Sequence, residues 1–391
     1  MAALAVPSYR WWFLSQITSS SGLMTQSVAT SWLVLRMTGR GFDLSLLSAA
    51  TMLPVLCGSA WAGAVVDRMD RRRLLIATQS SLTVLSGVLF VLIATGAAGY
   101  WSIVAICAAA GLVNALDGPA RQVYVLDLVG RDRLAGAVSL YEVILNTSRV
   151  LGPGLGGVLL ALLGPAACVL ANGVSFLAPL AVLIRYRTKA PEALAETTRR
   201  AQASRERKGA ARAGLRYAWS VPAIRSCLLL AAASSILFSP VVLFPLLAVR
   251  VFHLGGGGYG ALSASFGIGA LPGALLASRG DGEPTGRQVR WLAVATGVCM
   301  AVTAYAPDLP LLFLGMAATG MTSIWMIARA NTLVQLRSDR AMRGRVMGAW
   351  NMALPGMAPI TALAAGWLAD AAGARVAFAA AGVLIAGIVL A

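Results

Sequence analysis

The chain has 391 residues, 58% of them hydrophobic and only 12% charged, with a mean hydropathy of +0.76. A soluble domain carries about 25% charged residues, and here the apolar excess falls in long blocks, so a soluble multi-domain reading is excluded. The net charge of +17 would suit a nucleic-acid partner, but it gathers in the connections between apolar blocks, so no nucleic acid is expected.

About 20 apolar residues cross a bilayer, and that rule places twelve spans. They run at roughly 11–36, 42–66, 74–95, 100–120, 135–162, 165–185, 223–250, 258–278, 290–306, 309–328, 346–369 and 374–391. The first span carries a polar stripe of Gln16, Ser19, Ser20, Gln26, Ser27 and Thr30. Such a stripe lines a central cavity or ties helices together by hydrogen bonds. A basic segment follows the second span, and the fourth ends in Asn114 and Asp117. Asp117 is a buried acid suited to a gate salt bridge or to carrying protons; Asp127, a little further on, is expected in a solvated loop.

The fifth span has the clearest polar pattern. Ser139, Glu142, Asn146 and Arg149 recur at steps of three, four and three and share one helical face, which Gly152, Pro153 and Gly156 continue. Ionisable groups inside lipid are expensive and mark function. Glu142 is therefore the candidate proton carrier and Arg149 its partner, the alternative being a structural ion pair that fixes the fifth helix. Residues 186–221 form the longest polar stretch and read as a linker whose last part, 210–219, makes a short interfacial helix. The linker separates an N-terminal six-helix bundle, 1–185, from a C-terminal one, 222–391. In the eleventh span the corresponding polar position is Asn351.

Most of the 32 lysines and arginines lie on connections that share one side with the N-terminus, which orients that side towards the cytoplasm. No cleavable leader is expected, because the first apolar stretch is too long and lacks a small-residue cleavage pattern. The five cysteines are scattered through apolar spans without a CxxC pair, so neither a disulfide framework nor a metal site is expected. The single histidine, His253, stands at the end of the seventh span as an interface residue. An enzyme would need a nucleophile–base pair or a metal cluster, and a nucleotide-driven pump would need GxxxxGK[ST]; the sequence has neither.

A weak repeat joins the halves. PARQ at 119–122 followed by RDR at 131–133 is echoed by RANT at 329–332 followed by SDR at 338–340 and RGR at 343–345, an offset of about 207 residues that fits a duplicated bundle. The segment GAVVDRMDRRR at 63–73 resembles the loop signature of the major facilitator superfamily, in the enterobactin-exporter and macrolide-efflux variant that carries Asp70 in place of a glycine. LGPGLGG at 151–157 resembles the GPxxGG core of the antiporter motif of exporters in that superfamily, with Ser148 where an upstream glycine is expected.

The resemblance runs from about Arg10 to Gly382 and implies an all-α integral membrane protein of twelve helices in two pseudo-symmetric six-helix bundles. It implies a secondary transporter that exports small amphiphilic molecules by proton antiport and alternating access, works as a monomer in a bacterial inner membrane, and needs no cofactor beyond the proton gradient. An importer or uniporter of a small metabolite, or a transport-dead scaffold of the same fold, is the alternative. By the same resemblance the conformational gate comprises Gly63, Asp67, Arg68, Arg71, Arg72, Gly152, Pro153, Gly156 and Gly157. Asp67 would face the N-terminal end of the eleventh helix near Arg345, and Arg71 or Arg72 would pair with Asp117.

Overall fold

The computed structural model describes residues 5–130, 133–186, 216–238, 240–279, 283–339 and 342–388, and among them every regular element is helical. The first five spans are the single helices α1 (Pro7–Thr38), α2 (Gly41–Arg68), α3 (Arg71–Ala94), α4 (Tyr100–Val129) and α5 (Leu134–Leu162). The sixth is split into α6 (Pro165–Ser175) and α7 (Leu177–Arg185). Pro179 has no N–H for the carbonyl of Ser175, and the helix breaks there. The seventh consists of α8 (Pro222–Ser234), a 3-10 turn (Ser235–Phe238), α9 (Pro240–Leu246) and a π turn (Leu247–Val251). Then come α10 (Gly256–Arg279), α11 (Gly286–Ala304) and α12 (Leu309–Arg337). An eleventh span interrupted at Pro355 and Gly356 gives α13 (Arg343–Ala353) and α14 (Ala358–Ala371), and α15 (Ala374–Gly387) is the last.

Among the described residues seven helices are long and apolar enough to cross a membrane, and 222–234, 242–251 and 374–387 are shorter apolar helices. Their order fits the twelve expected spans. The first helix falls outside that group because its polar stripe lowers its hydropathy, although its 32 residues reach about 48 Å, well beyond the ~30 Å hydrocarbon core. Tight corners join consecutive helices. At the first, Gly39 adopts a left-handed φ of 66° and donates its N–H to Leu35 O at 2.8 Å, ending α1 two residues before α2 starts.

The chain divides into two compact units, residues 1–39, 50–201 and 255–261 in the first and 40–49, 202–254 and 262–391 in the second. Two short segments, 40–49 and 255–261, belong to the other unit from their neighbours in sequence. Most of the polar stretch expected to be a linker, 187–215, lies outside the described residues; of the expected interfacial helix, 216–220 is helical, and Tyr217 Oη accepts the N–H of Asp339 at 3.2 Å.

In the first unit α1 packs along α5 and α6, and α3 along α4, α6 and α7. Glycines set the α1–α5 approach: a Cβ on Gly152 would come within 2.8 Å of Ser21 O, and one on Gly156 within 3.2 Å of Val28 Cβ. Thr25 Oγ1 fastens the crossing by donating to Gly152 O at 2.9 Å. Gly157 meets the start of α10, where a Cβ would stand 2.8 Å from Gly260 Cα. An aromatic core that includes Tyr9, Trp12, Leu75, Tyr124 and Leu183 closes the arginine-rich end, with Trp12 and Tyr124 edge to face at 5.0 Å. In the second unit α11 packs along α15 and α12, and a Cβ on Gly382 would come 2.7 Å from Gly297 O. These are the small-residue crossings that helices in lipid favour.

Candidate functional site

A buried ionic node joins three helices of the first unit. Asp117 sits on α4 at 1% exposure, one turn before Arg121. Its Oδ1 accepts from Thr78 Oγ1 at 2.7 Å and Gln79 Nε2 at 2.8 Å, both on α3. Its Oδ2 pairs with Arg121 Nε, and Arg121 Nη1 donates to Gln16 Oε1 on α1 at 2.6 Å. Acid and base one turn apart on one helix neutralise each other where water is scarce, and the leftover donors and acceptors reach the neighbouring helices. Gln16 Nε2, Gln79 Oε1 and Ser19 Oγ are buried without a partner among the described residues. A donor, an acceptor and a hydroxyl therefore remain free beside the ion pair.

The basic signature lies at the same end of the unit. Asp70 caps α3 by accepting the N–H of Arg73 at 2.8 Å. Arg71 Nη1 donates to both carboxylate oxygens of Asp127, at 2.8 and 3.0 Å. Arg72 reaches the end of α7, donating to Leu183 O at 2.6 Å and Ile184 O at 3.3 Å; a cation on the last carbonyls of a helix complements its dipole. The acid expected for Arg71 or Arg72 was Asp117, but Asp117 belongs to Arg121 and Arg71 takes Asp127. Nor is Asp127 in a solvated loop. It lies inside α4 with a side chain only 3% exposed, because α4 runs nine residues past the expected end at 120. The side chains of Gly63, Asp67 and Arg68 lie outside the described residues, and so does the expected role of Asp67.

On α1 the expected cavity stripe is largely consumed within the bundle. Gln26 Oε1 accepts from Asn172 Nδ2 at 2.8 Å and from Ser86 Oγ at 3.2 Å, a tie across α1, α3 and α6. Thr30 and Asn114 turn back on their own helices, to Gln26 O at 3.0 Å and Ala110 O at 2.9 Å. Ser20 is half-buried. On α5 Arg149 is half-buried, and the side chains of Ser139, Glu142 and Asn146 lie outside the described residues, as does that of Asn351.

The second unit holds a smaller cluster. Asp370, near the end of α14 and past the span expected at 346–369, accepts the N–H groups of Gly41 and Phe42 at 2.8 Å each and Arg250 Nη2 at 2.7 Å. Ser45 Oγ donates to Ala362 O at 2.8 Å one turn away. Burial alone would raise the carboxyl, but the two N–H groups and Arg250 outweigh it and hold Asp370 below the usual carboxylate range. A carboxylate borrowed from another helix thus caps the start of α2.

Sequence reasoning missed Thr78, Gln79, Arg121, Asp127, Arg250 and Asp370. The acid–base spacing of Asp117 and Arg121, four apart on one helix, was a legible signal. Nothing local marks Thr78 or Gln79, which are apposed to Asp117 only by the packing of α3 on α4.

The transmembrane secretion effector family matches residues 1–391. A relative named multidrug efflux pump Tap in Mycolicibacterium fortuitum is 29% identical over 373 residues, 93% of this chain and 89% of that protein. The enterobactin exporter EntS of Citrobacter koseri is 26% identical over 364 residues, 88% of this chain and 81% of that one. Among solved structures, a bacterial homologue of the human lysosomal transporter spinster superposes with a TM-score of 0.74 at 13% identity, covering 98% and 96% of the two chains. A D-xylose–proton symporter gives 0.68 at 14% identity over 96% of each chain, and these two likenesses show the fold. With a match over its whole length and a helical fold shared with such carriers, the chain belongs to the transmembrane secretion effectors of the major facilitator superfamily and is a membrane transporter, not an enzyme.

Proposed function

We propose that this transporter exports small amphiphilic molecules from a bacterial cytoplasm in exchange for protons, with its N-terminus inside. The observation that carries the reading is its likeness, over 93% of the chain, to relatives named multidrug efflux pumps. A relative named staphyloferrin A transporter in Staphylococcus aureus, 30% identical over 176 residues or 45% of this chain, and the enterobactin exporter extend the relatives to siderophore carriers. The positive-inside bias supports the orientation.

Glu142 carries the proton and Arg149 modulates it, since their spacing in the sequence puts both on one face of the fifth span and a carboxylate in low dielectric readily takes up a proton. Asp117 already receives two neutral donors and Arg121, which makes it a fastening between helices. Gln16, Ser19 and Gln79 each leave a buried polar atom without a partner among the described residues. The test is purified protein in proteoliposomes with a trapped pH-sensitive dye and an imposed proton gradient, challenged with dyes, macrolides and siderophores. Wild-type protein is expected to release protons when substrate is added, and Glu142→Gln to bind substrate without that release. Release undiminished in Glu142→Gln would move the carrier elsewhere, and no proton movement with any compound would defeat proton antiport.

A further inference from the structure

The start of α1 and the last turns of α7 enclose an open groove of about 500 Å³. One wall runs from Trp11 to Thr18 and the other from Ala178 to Arg185, each contributing residues at positions i, i+3, i+4 and i+7, the stripe of a single helical face. On the α7 wall Ala178 and Ala181 present only small side chains to the groove that Leu14 lines from α1. The groove is about 10 Å deep along the helix axis.

Its chemistry is graded. Inside, Ser15 and Thr18 have hydroxyls spent on Trp12 O at 2.7 Å and Leu14 O at 3.1 Å, leaving an apolar floor. At the mouth, Trp11 is 49% exposed, and Tyr186 packs beside the core that holds Tyr9 and Trp12. Arg185 is exposed and has no acidic partner among the described residues. Arg10 is exposed one residue before Trp11, and Arg72 adds a third cation at the end of α7. Among the described residues no acidic residue lines the groove.

We propose that this groove holds an anionic phospholipid of the bilayer. Its headgroup phosphate lies on Arg185 beside the Trp11 ring, at the depth where aromatic and basic residues anchor. One acyl chain follows Leu14, Ala181 and Ala178 inward. The site is independent of the exported cargo: a cationic amphiphile would meet Arg185 and, among the described residues, no carboxylate.

The test is native mass spectrometry of the full-length protein in detergent, given equal amounts of phosphatidylglycerol and phosphatidylcholine with matched acyl chains. One basic contact predicts about fivefold retention of phosphatidylglycerol over phosphatidylcholine. Arg185→Gln should bring the ratio close to one and Arg185→Lys should keep it, whereas Ala181→Phe, which fills the floor, should lower occupancy by both lipids. A preference unchanged in Arg185→Gln overturns the proposal. So does displacement of phosphatidylglycerol by ethidium at equal concentration, which would give the groove to cargo. Should Arg185→Gln fail to fold, Ala181→Phe decides alone, and lipid retention undiminished in that variant defeats the site.

Discussion

The residues with most at stake are the paired charges, because lipid gives them no water to fall back on. Removing one partner of a buried pair leaves the other uncompensated, at a cost of about 3–5 kcal/mol. Asp117→Asn should therefore lower the melting temperature in detergent markedly. Asp117→Asn combined with Arg121→Gln should recover most of the loss, since no net charge stays buried; a double variant no more stable than the single one would contradict the node. Asp370 makes a different prediction, at the end of α14. Its folded pKa lies below the ordinary value, so its contribution is complete above the unfolded carboxylate range and is lost as pH falls through the folded one. Wild-type thermal stability should decline below about pH 4 more steeply than that of Asp370→Asn, and parallel pH profiles would show that the cap at Gly41 and Phe42 contributes nothing.

At the scale of elements, glycine and proline decide how helices meet. In the two signature segments, Arg72 and Asp70 cap helix ends, and Gly152 and Gly156 let α5 lie against α1. A valine at Gly152 has to displace the Ser21 carbonyl and the Met24 side chain, and overpacking of this kind costs about 1–3 kcal/mol. Gly152→Val should lower thermal stability and transport together. Gly118→Ala is the control, since a Cβ there meets nothing within 4 Å and alanine favours helix by about 1 kcal/mol. Equal losses in the two variants would mean that close approach at Gly152 is not what matters. The places where helices end were partly legible: Asp70 before three arginines reads as a cap, and Pro179 as a break. The extension of α4 through Asp127 was not, because a helix that leaves the lipid turns polar and then resembles a loop in hydropathy.

For the whole molecule, the sequence by itself determined a membrane protein with an all-helical fold, the order of its spans, its superfamily and its character as a transporter. Each of these follows from properties that add along the chain. A run of apolar residues must become a helix in lipid whatever its neighbours do, and a motif is read in consecutive positions. Pairings are not additive in that way. Whether Arg71 meets Asp117 or Asp127, whether Gln26 faces a cavity or Asn172, and whether Asp370 finds the start of α2 depend on the rotation and depth of two helices distant in sequence. A helix displaced by one residue turns its side chains by about 100°. Only the tertiary structure decided those partners, and with them the groove beside Arg185, because a space between two helices is a property of neither.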